Sequence, residues 1–151
     1  IWPSVALGSC GALTIACYAL ADANWPLAPD VFERFHALQF GLVRMDAIYL
    51  TVKIPDLIFQ QTLIYVLVRH LQLRGLTGWP LIGAFMLPFA GIHAPLLVVK
   101  GLAGLPVLIA SVVASLVFVP LIARLKRGVA FSFCVHHLFY VLAGLALRAS
   151  L

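Results

Sequence analysis

Three groups of polar side chains interrupt otherwise apolar stretches of the sequence, and they are the residues best able to do chemistry. They are the amide pair Gln60 and Gln61, the imidazole of His93, and the adjacent imidazoles of His136 and His137. A glutamine can only donate and accept hydrogen bonds, whereas a neutral histidine can also take up a proton or bind a metal. The residue types therefore indicate hydrogen bonding, proton transfer or metal ligation.

The stretches around these residues are too apolar for a soluble domain. Hydrophobic residues make up 64% of the 151 residues, charged residues 10%, and the mean hydropathy is +1.10. A soluble domain is roughly half apolar and a quarter charged, and one membrane span needs about 20 apolar residues. The sequence predicts an all-α, polytopic transmembrane helix bundle of about five spans, at residues 2–21, 54–71, 79–99, 102–123 and 129–147.

Residues 31–53 combine apolar positions at helical spacing with five charged side chains. Burying those charges in lipid would cost about 2.5–3.5 kcal/mol each near the membrane centre. The pattern favours an interfacial amphipathic helix, or a helix packed against protein, over a span that faces lipid. The predicted organisation is an N-terminal span and amphipathic segment at 1–53, followed by a four-helix transmembrane core at 54–151.

Basic residues between the spans predict the orientation. Arg69 and Arg74 follow the second span, and a cluster at 124–127 follows the fourth, so both loops fall on one side. The positive-inside rule places that side in the cytoplasm, with the N-terminus, and leaves the C-terminus outside. These positions indicate a multi-pass integral membrane protein.

The same geometry predicts that the polar groups meet. Gln60 lies nine residues from Arg69, and His136 nine residues from Arg127, so each is about 13 Å from the cytoplasmic boundary. His93 lies about 20 Å from that boundary in a core about 30 Å thick. The three groups are within roughly two helical turns of one another in depth and are expected to form one polar centre. Alternatively, each satisfies itself locally.

Charge and cysteine usage exclude other classes. The net charge is +5, but the chain has no basic run with interleaved aromatic residues, which argues against nucleic acid. Cys10, Cys17 and Cys134 lie singly in apolar runs and are expected to be buried small hydrophobic residues. Transport lacks its usual support, because no paired broken helices occur and Asp56 lies near a predicted span end.

The order of the polar groups resembles the CPBP family of CAAX-protease and bacteriocin-processing membrane proteins, also called Abi. That family carries a Glu-Glu pair with an Arg four residues after the second Glu. Here Gln60 and Gln61 stand where the Glu pair would be, and Tyr65 stands where the Arg would be.

Two further elements complete the resemblance, which covers about residues 54–147. The family's Phe-x-x-x-His is intact as Phe89 and His93, and its last His-x-x-x-Asn corresponds to His136 and Tyr140. In the family, the Glu and His side chains are thought to activate water for peptide cleavage. The resemblance therefore implies a related fold with a degenerate centre.

The departures from the family pattern decide the functional expectation. A general base must take a proton from water, and an amide has no useful basicity. Loss of the Arg along with both Glu residues is consistent with an inactive, neutral centre, because a buried Arg without its acidic partners would be costly. We expect no catalytic residue, and an inactive relative that acts as a structural or accessory subunit, contacting lipids and other integral membrane proteins through its helix faces.

Two alternatives remain open. The first is an active membrane protease in which His93 and His136 hold a metal, although a catalytic zinc site normally has three protein ligands. The second is a subunit that binds haem or a chlorophyll-type pigment through an intramembrane histidine. The candidate ligands are His70, His93, His136 and His137. No CxxCH motif occurs, which excludes covalent c-type haem. The leading expectation includes no metal and no cofactor.

Overall fold

In a computed structural model of the chain, residues 2–30 and 47–150 are described, and they contain helices and turns but no strand. This confirms the predicted all-α fold. In chain order the elements are α1 (Trp2–Asn24), α2 (Ala47–Leu73), α3 (Gly78–Gly91), α4 (Pro95–Lys100), a 3-10 turn (Gly101–Gly104), α5 (Leu105–Arg124) and α6 (Gly128–Ala149).

Four helical segments are long and apolar enough to cross a membrane. They are Pro3–Asn24, Gly78–Lys100, Leu105–Arg124 and Gly128–Ala149, and they coincide with four of the five predicted spans. The remaining predicted span, at residues 54–71, lies inside α2, which has 27 residues. Residues 31–46 of the predicted amphipathic helix lie outside the described part of the chain.

The predicted third span is not one continuous helix. α3 ends at Gly91, a tight turn follows, and α4 begins at Pro95. In this turn the His93 amide N–H bonds the Ala90 carbonyl three residues back, at 3.0 Å. Pro95 has no N–H to continue the α-helical ladder. The span is therefore broken at His93.

Glycine defines the turn between α2 and α3. Gly75 has a φ of +83°, and the Leu76 N–H bonds the Leu71 carbonyl at 3.2 Å while the Gly75 N–H bonds the Gln72 carbonyl at 2.9 Å. These two bonds form a Schellman motif, which closes a helix when the residue after it adopts a left-handed conformation.

The described contacts divide the chain into two compact units, one of residues 1–59 and 133–151, the other of residues 60–132. We call them the first and second unit. The division falls within α2 and within α6. The core of the second unit joins the C-terminal half of α2, the first half of α3 and the C-terminal half of α5. Its buried members are Ile64, Val68, Leu81, Phe85, Phe118, Val119 and Ile122.

In the first unit, α1 runs parallel to the C-terminal part of α6. The contacting pairs keep the same order along both helices: Cys10 with Cys134, Thr14 with His137, Ala21 with Val141, and Trp25 with Arg148. The three cysteines are buried and unbridged.

The parallel pair constrains how the chain crosses the membrane. Two spans run in the same direction only when an odd number of crossings separates them. The candidate spans Gly78–Lys100 and Leu105–Arg124 lie between α1 and α6 in the chain. If each of them crosses once, one more crossing is required. The described helix long enough for it is α2, because 27 residues extend about 40 Å. We therefore expect α2 to cross, which gives five spans.

Candidate functional site

Gln61 is the most completely enclosed of the predicted site residues in the second unit. It lies on α2 and is 2% exposed. Its Oε1 accepts a hydrogen bond from the Ser132 hydroxyl at 3.0 Å, and its Nε2 donates to the Ser132 backbone carbonyl at 3.3 Å. Both functional groups of the amide are thus used by one residue of α6.

Ser132 is itself fully buried. Its hydroxyl lies 3.0 Å from the Val129 carbonyl as well as 3.0 Å from Gln61 Oε1. A hydroxyl has one hydrogen, so it is shared between these two acceptors. The arrangement is neutral, and every polar atom in it has a partner within the protein.

The other two residues at the Glu-Glu and Arg positions are less enclosed. Gln60 is half-buried and takes part in a polar interaction of its own. Tyr65 is 37% exposed, and the Arg69 guanidinium lies 5.5 Å from the centre of its ring. Arg69 also donates to the Gln72 side-chain oxygen at 3.0 Å. A cation is therefore present, but one helical turn beyond the family's Arg position.

His93 is half-buried at the break between α3 and α4. Because the His93 N–H bonds Ala90, the Phe89 carbonyl lacks its usual α-helical donor, and the His93 imidazole takes that place with Nδ1 2.7 Å from the oxygen. A carbonyl can only accept, so Nδ1 carries the proton and Nε2 keeps a lone pair. The Phe89 ring packs edge-on against the imidazole at 5.3 Å. The tight turn thus fixes the orientation of His93.

In the first unit, His136 is buried at 8% exposure and packs against the Tyr140 ring with centroids 5.3 Å apart. The Lys53 ammonium lies 4.0 Å above the centre of the same Tyr140 ring. Lys53 also pairs with Asp56, its Nζ 2.7 Å from the carboxylate. An ion pair therefore accompanies the third element of the family pattern.

His137 points to α1 and has a separate role. The Thr14 hydroxyl donates to the Cys10 carbonyl at 2.8 Å, so it accepts from His137 Nε2 at 2.9 Å. This assigns the proton of His137 to Nε2. Its buried Nδ1 has no hydrogen-bond partner among the described residues. The contact fastens α1 to α6.

The structure thus pairs Gln61 with Ser132, Phe89 with His93, and His136 with Tyr140. Gln61 and His93 belong to the second unit and His136 to the first, so the predicted common centre stays a prediction. His70 is exposed near the end of α2. Across residues 2–30 and 47–150, no three His, Cys, Asp or Glu side chains are grouped to hold a metal.

Sequence reasoning missed two polar partners. Ser132 is 71 residues from Gln61 in sequence, and no local pattern announces such a pair. Lys53 was assigned to the amphipathic segment and Asp56 to the end of a span, and their pairing within α2, which is described from Ala47, was not predicted. Their spacing of three residues was the available signal, because side chains three or four apart on a helix are neighbours.

No family model, curated protein or solved structure matches the chain.

Proposed function

We propose that this chain is a catalytically inactive relative of the CPBP membrane proteases and serves as a structural or accessory subunit of a larger membrane protein complex. The pair between Gln61 and Ser132 carries the proposal. In the family pattern, this position on α2 would present a carboxylate to water. Here an amide stands in its place, and its oxygen and nitrogen both bond to Ser132.

The charge distribution supports the same conclusion. Residues 60–132, which hold Gln61 and His93, contain no Asp or Glu. A positioned general base contributes typically 10²–10⁴-fold to a rate, and this unit has no carboxylate to act as one. The Nδ1 atom of His93 is bonded to its own helix. The polar interior therefore suits stabilisation of a helix bundle.

The subunit role rests on the outward face of α5. Ser111, Ser115 and Phe118 are buried on one side of this helix, whereas Ile109 and Val113 on another side are 54% and 52% exposed. In a membrane, such an apolar face contacts either lipid or another helix. The proposed partners are integral membrane proteins that pack on faces of this kind. The proposed location is the bacterial cytoplasmic membrane, in keeping with the bacteriocin-processing members of the family it resembles.

Site-specific photo-crosslinking tests the subunit role in the native membrane. A photoreactive residue at exposed Val113 is expected to capture one integral membrane protein that also co-purifies in mild extraction. The matched control is Val119, on the same helix but 1% exposed, where capture of another chain is not expected. A particle that is monomeric in every mild extraction, with no crosslink from Val113, contradicts the subunit role.

A peptidase assay tests the lack of catalysis. Purified protein in lipid is expected to leave membrane-spanning peptides uncleaved. Cleavage that disappears in His93→Ala and persists in His70→Ala would show an active centre. The His70 variant is the matched control, because its imidazole is exposed near a helix end.

One observation favours a second candidate, a haem or chlorophyll-type pigment bound at His93. Histidines that bind metals usually donate their other ring N–H to a carbonyl or carboxylate, as His93 Nδ1 does to Phe89. Absorbance of the protein purified from its native membrane tests this alternative. A visible band that is lost in His93→Ala would favour it over the first.

A further inference from the structure

The cations of the second unit are gathered at one end. Residues 60–132 contain six Lys and Arg and no Asp or Glu. Five of the six flank the two turns between α2 and α3 and between α5 and α6, namely Arg69, Arg74, Arg124, Lys126 and Arg127, and all five are exposed. The sixth, Lys100, ends α4.

Packing brings the two turns to the same end of the unit. Leu71 and Leu76 flank the first turn, Ala123 and Val129 flank the second, and all four pack against the buried core of the unit. The close approach of Gly128 to the Leu121 backbone holds the second turn tightly against α5. Positive charge therefore accumulates at one end of the second unit, and residues 60–132 contain no carboxylate to neutralise it.

Large apolar side chains lie among these cations. Leu73 is 88% exposed, Trp79 76% and Leu125 44%. Tryptophan at the end of a membrane helix is typical of the lipid headgroup region. A surface that combines exposed cations with exposed apolar side chains at the ends of spans matches the boundary between headgroups and acyl chains. This combination favours a lipid over an acidic protein segment.

We propose that this end of the second unit is a binding site for an anionic phospholipid that carries two phosphates. Arg69 and Arg74 would contact one phosphate, and Arg124, Lys126 and Arg127 the other. Joining the two phosphates in one molecule makes the second contact intramolecular, which raises affinity without any new interaction. The acyl chains would lie against Trp79 and the neighbouring apolar side chains.

Equilibrium binding to the purified, delipidated chain in micelles tests the site, read by native mass spectrometry. The probes are a cardiolipin-type lipid with two phosphates, phosphatidylglycerol with one, and phosphatidylcholine with no net charge. We expect the two-phosphate lipid to bind more tightly than phosphatidylglycerol at equal total phosphate, and phosphatidylcholine to bind least.

Three variants locate the site. Because a surface cation contributes about 1 kcal/mol to anionic lipid binding, replacing Arg124, Lys126 and Arg127 by Gln should weaken binding roughly 100-fold. Replacing Arg124 and Arg127 by Lys, and Lys126 by Arg, should retain lipid binding because the charges are kept. Lys100→Gln, at a cation outside the two turns, should leave it unchanged. Since Arg124, Lys126 and Arg127 are exposed, thermal unfolding of the two variants changed at these positions should match the wild type.

The binding measurements distinguish a specific lipid site from general attraction of anionic lipids and from a protein-docking surface. Two results would overturn the site. They are equal affinity of the two anionic lipids per phosphate, and a loss of affinity in Lys100→Gln as large as that in the variant with Gln at 124, 126 and 127. Either result would show that the cations attract anionic lipids only in a general way. Displacement of the two-phosphate lipid by an acidic peptide at lower concentration than by the lipid itself would show a protein-docking surface instead. Neither the peptidase assay nor the crosslinking from Val113 bears on this result, so the site stands or fails independently of the proposed function.

Discussion

The coupling between Gln61 and Ser132 is the most direct measure of how the polar interior is satisfied. We consider Gln61→Leu, Ser132→Ala and the double change. Gln61→Leu removes the acceptor at 3.0 Å and the donor at 3.3 Å. The Ser132 hydroxyl keeps the Val129 carbonyl at 3.0 Å, so the change leaves no buried hydroxyl without a partner. The double-mutant cycle then isolates the contribution of the hydrogen bond between the two side chains.

The coupling energy is the informative quantity. The sign of the single effect is not diagnostic, because Gln61→Leu also replaces an amide with an apolar side chain in the interior. Interhelical hydrogen bonds in membranes average about 0.6 kcal/mol and reach about 1.7 kcal/mol in double-mutant cycles. Because Ser132→Ala retains the backbone carbonyl that Gln61 Nε2 bonds, the cycle measures the bond between the Ser132 hydroxyl and Gln61 Oε1. For this one bond we expect a coupling of about 1 kcal/mol, within that range.

Denaturant unfolding in mixed micelles, followed by far-ultraviolet circular dichroism, measures the four free energies of unfolding. Gln72→Leu combined with Ser132→Ala is the matched control. Gln72 is on the same helix but bonds Arg69, and it lies about 16 Å along the helix from Gln61. Distant sites combine additively to within about 0.5 kcal/mol. A coupling for Gln61 no larger than that of Gln72 would refute the idea that this amide is satisfied by Ser132.

Two further predictions concern packing and topology. Gly128→Ala should destabilise the chain by about 1–3 kcal/mol, because its Cβ would collide with the Leu121 backbone. Gly83→Ala, with open space around it, should be neutral or stabilising in the same unfolding experiment. Cysteines at Ala28 and at Thr77 should react with an impermeant thiol reagent from opposite faces of the membrane, because we expect α2 to cross between them. Reaction of both from one face would contradict the fifth span.

The helices could be predicted from sequence because apolar length is a local property. The four spans at α1, α3–α4, α5 and α6 agree with the apolar stretches of the sequence, and the breaks at Gly75, Gly101 and Gly128 fall between the predicted spans. The amphipathic segment depends on tertiary contacts. Lys53 was assigned to this segment because charge is costly in lipid; in the structure it pairs with Asp56 and packs on Tyr140 within α2, and the expectation that residues 31–53 do not cross stays a prediction.

The candidate site shows the same limit. The Phe89 and His93 pattern set the two residues four apart on one predicted span, and in the structure their rings are in contact. The pattern did not reveal that the helix breaks at His93. The break follows from Pro95, which lacks an N–H, and from the His93 N–H, which bonds the carbonyl three residues back instead of four. Nor could the pattern identify Ser132, because partners on different helices carry no shared local signal. Depth estimates align residues along the membrane normal but do not show which faces meet.

The distribution of polar groups offers a physical reason for looking to the surface of the second unit for function. Inside this unit, Gln61, Ser132 and His93 Nδ1 all have hydrogen-bond partners within the protein, and a group that is already bonded must lose that bond before it can bind or react. The side chains of Arg74 and Arg127 are exposed, so an anion can reach them without opening the polar interior. Binding of an anion at this end would therefore gain electrostatic energy directly. Binding in the interior would first have to break the hydrogen bonds that the polar side chains already make. The proposed lipid site and the proposed subunit role both follow from this difference, one through charge at the helix ends and the other through the apolar helix faces.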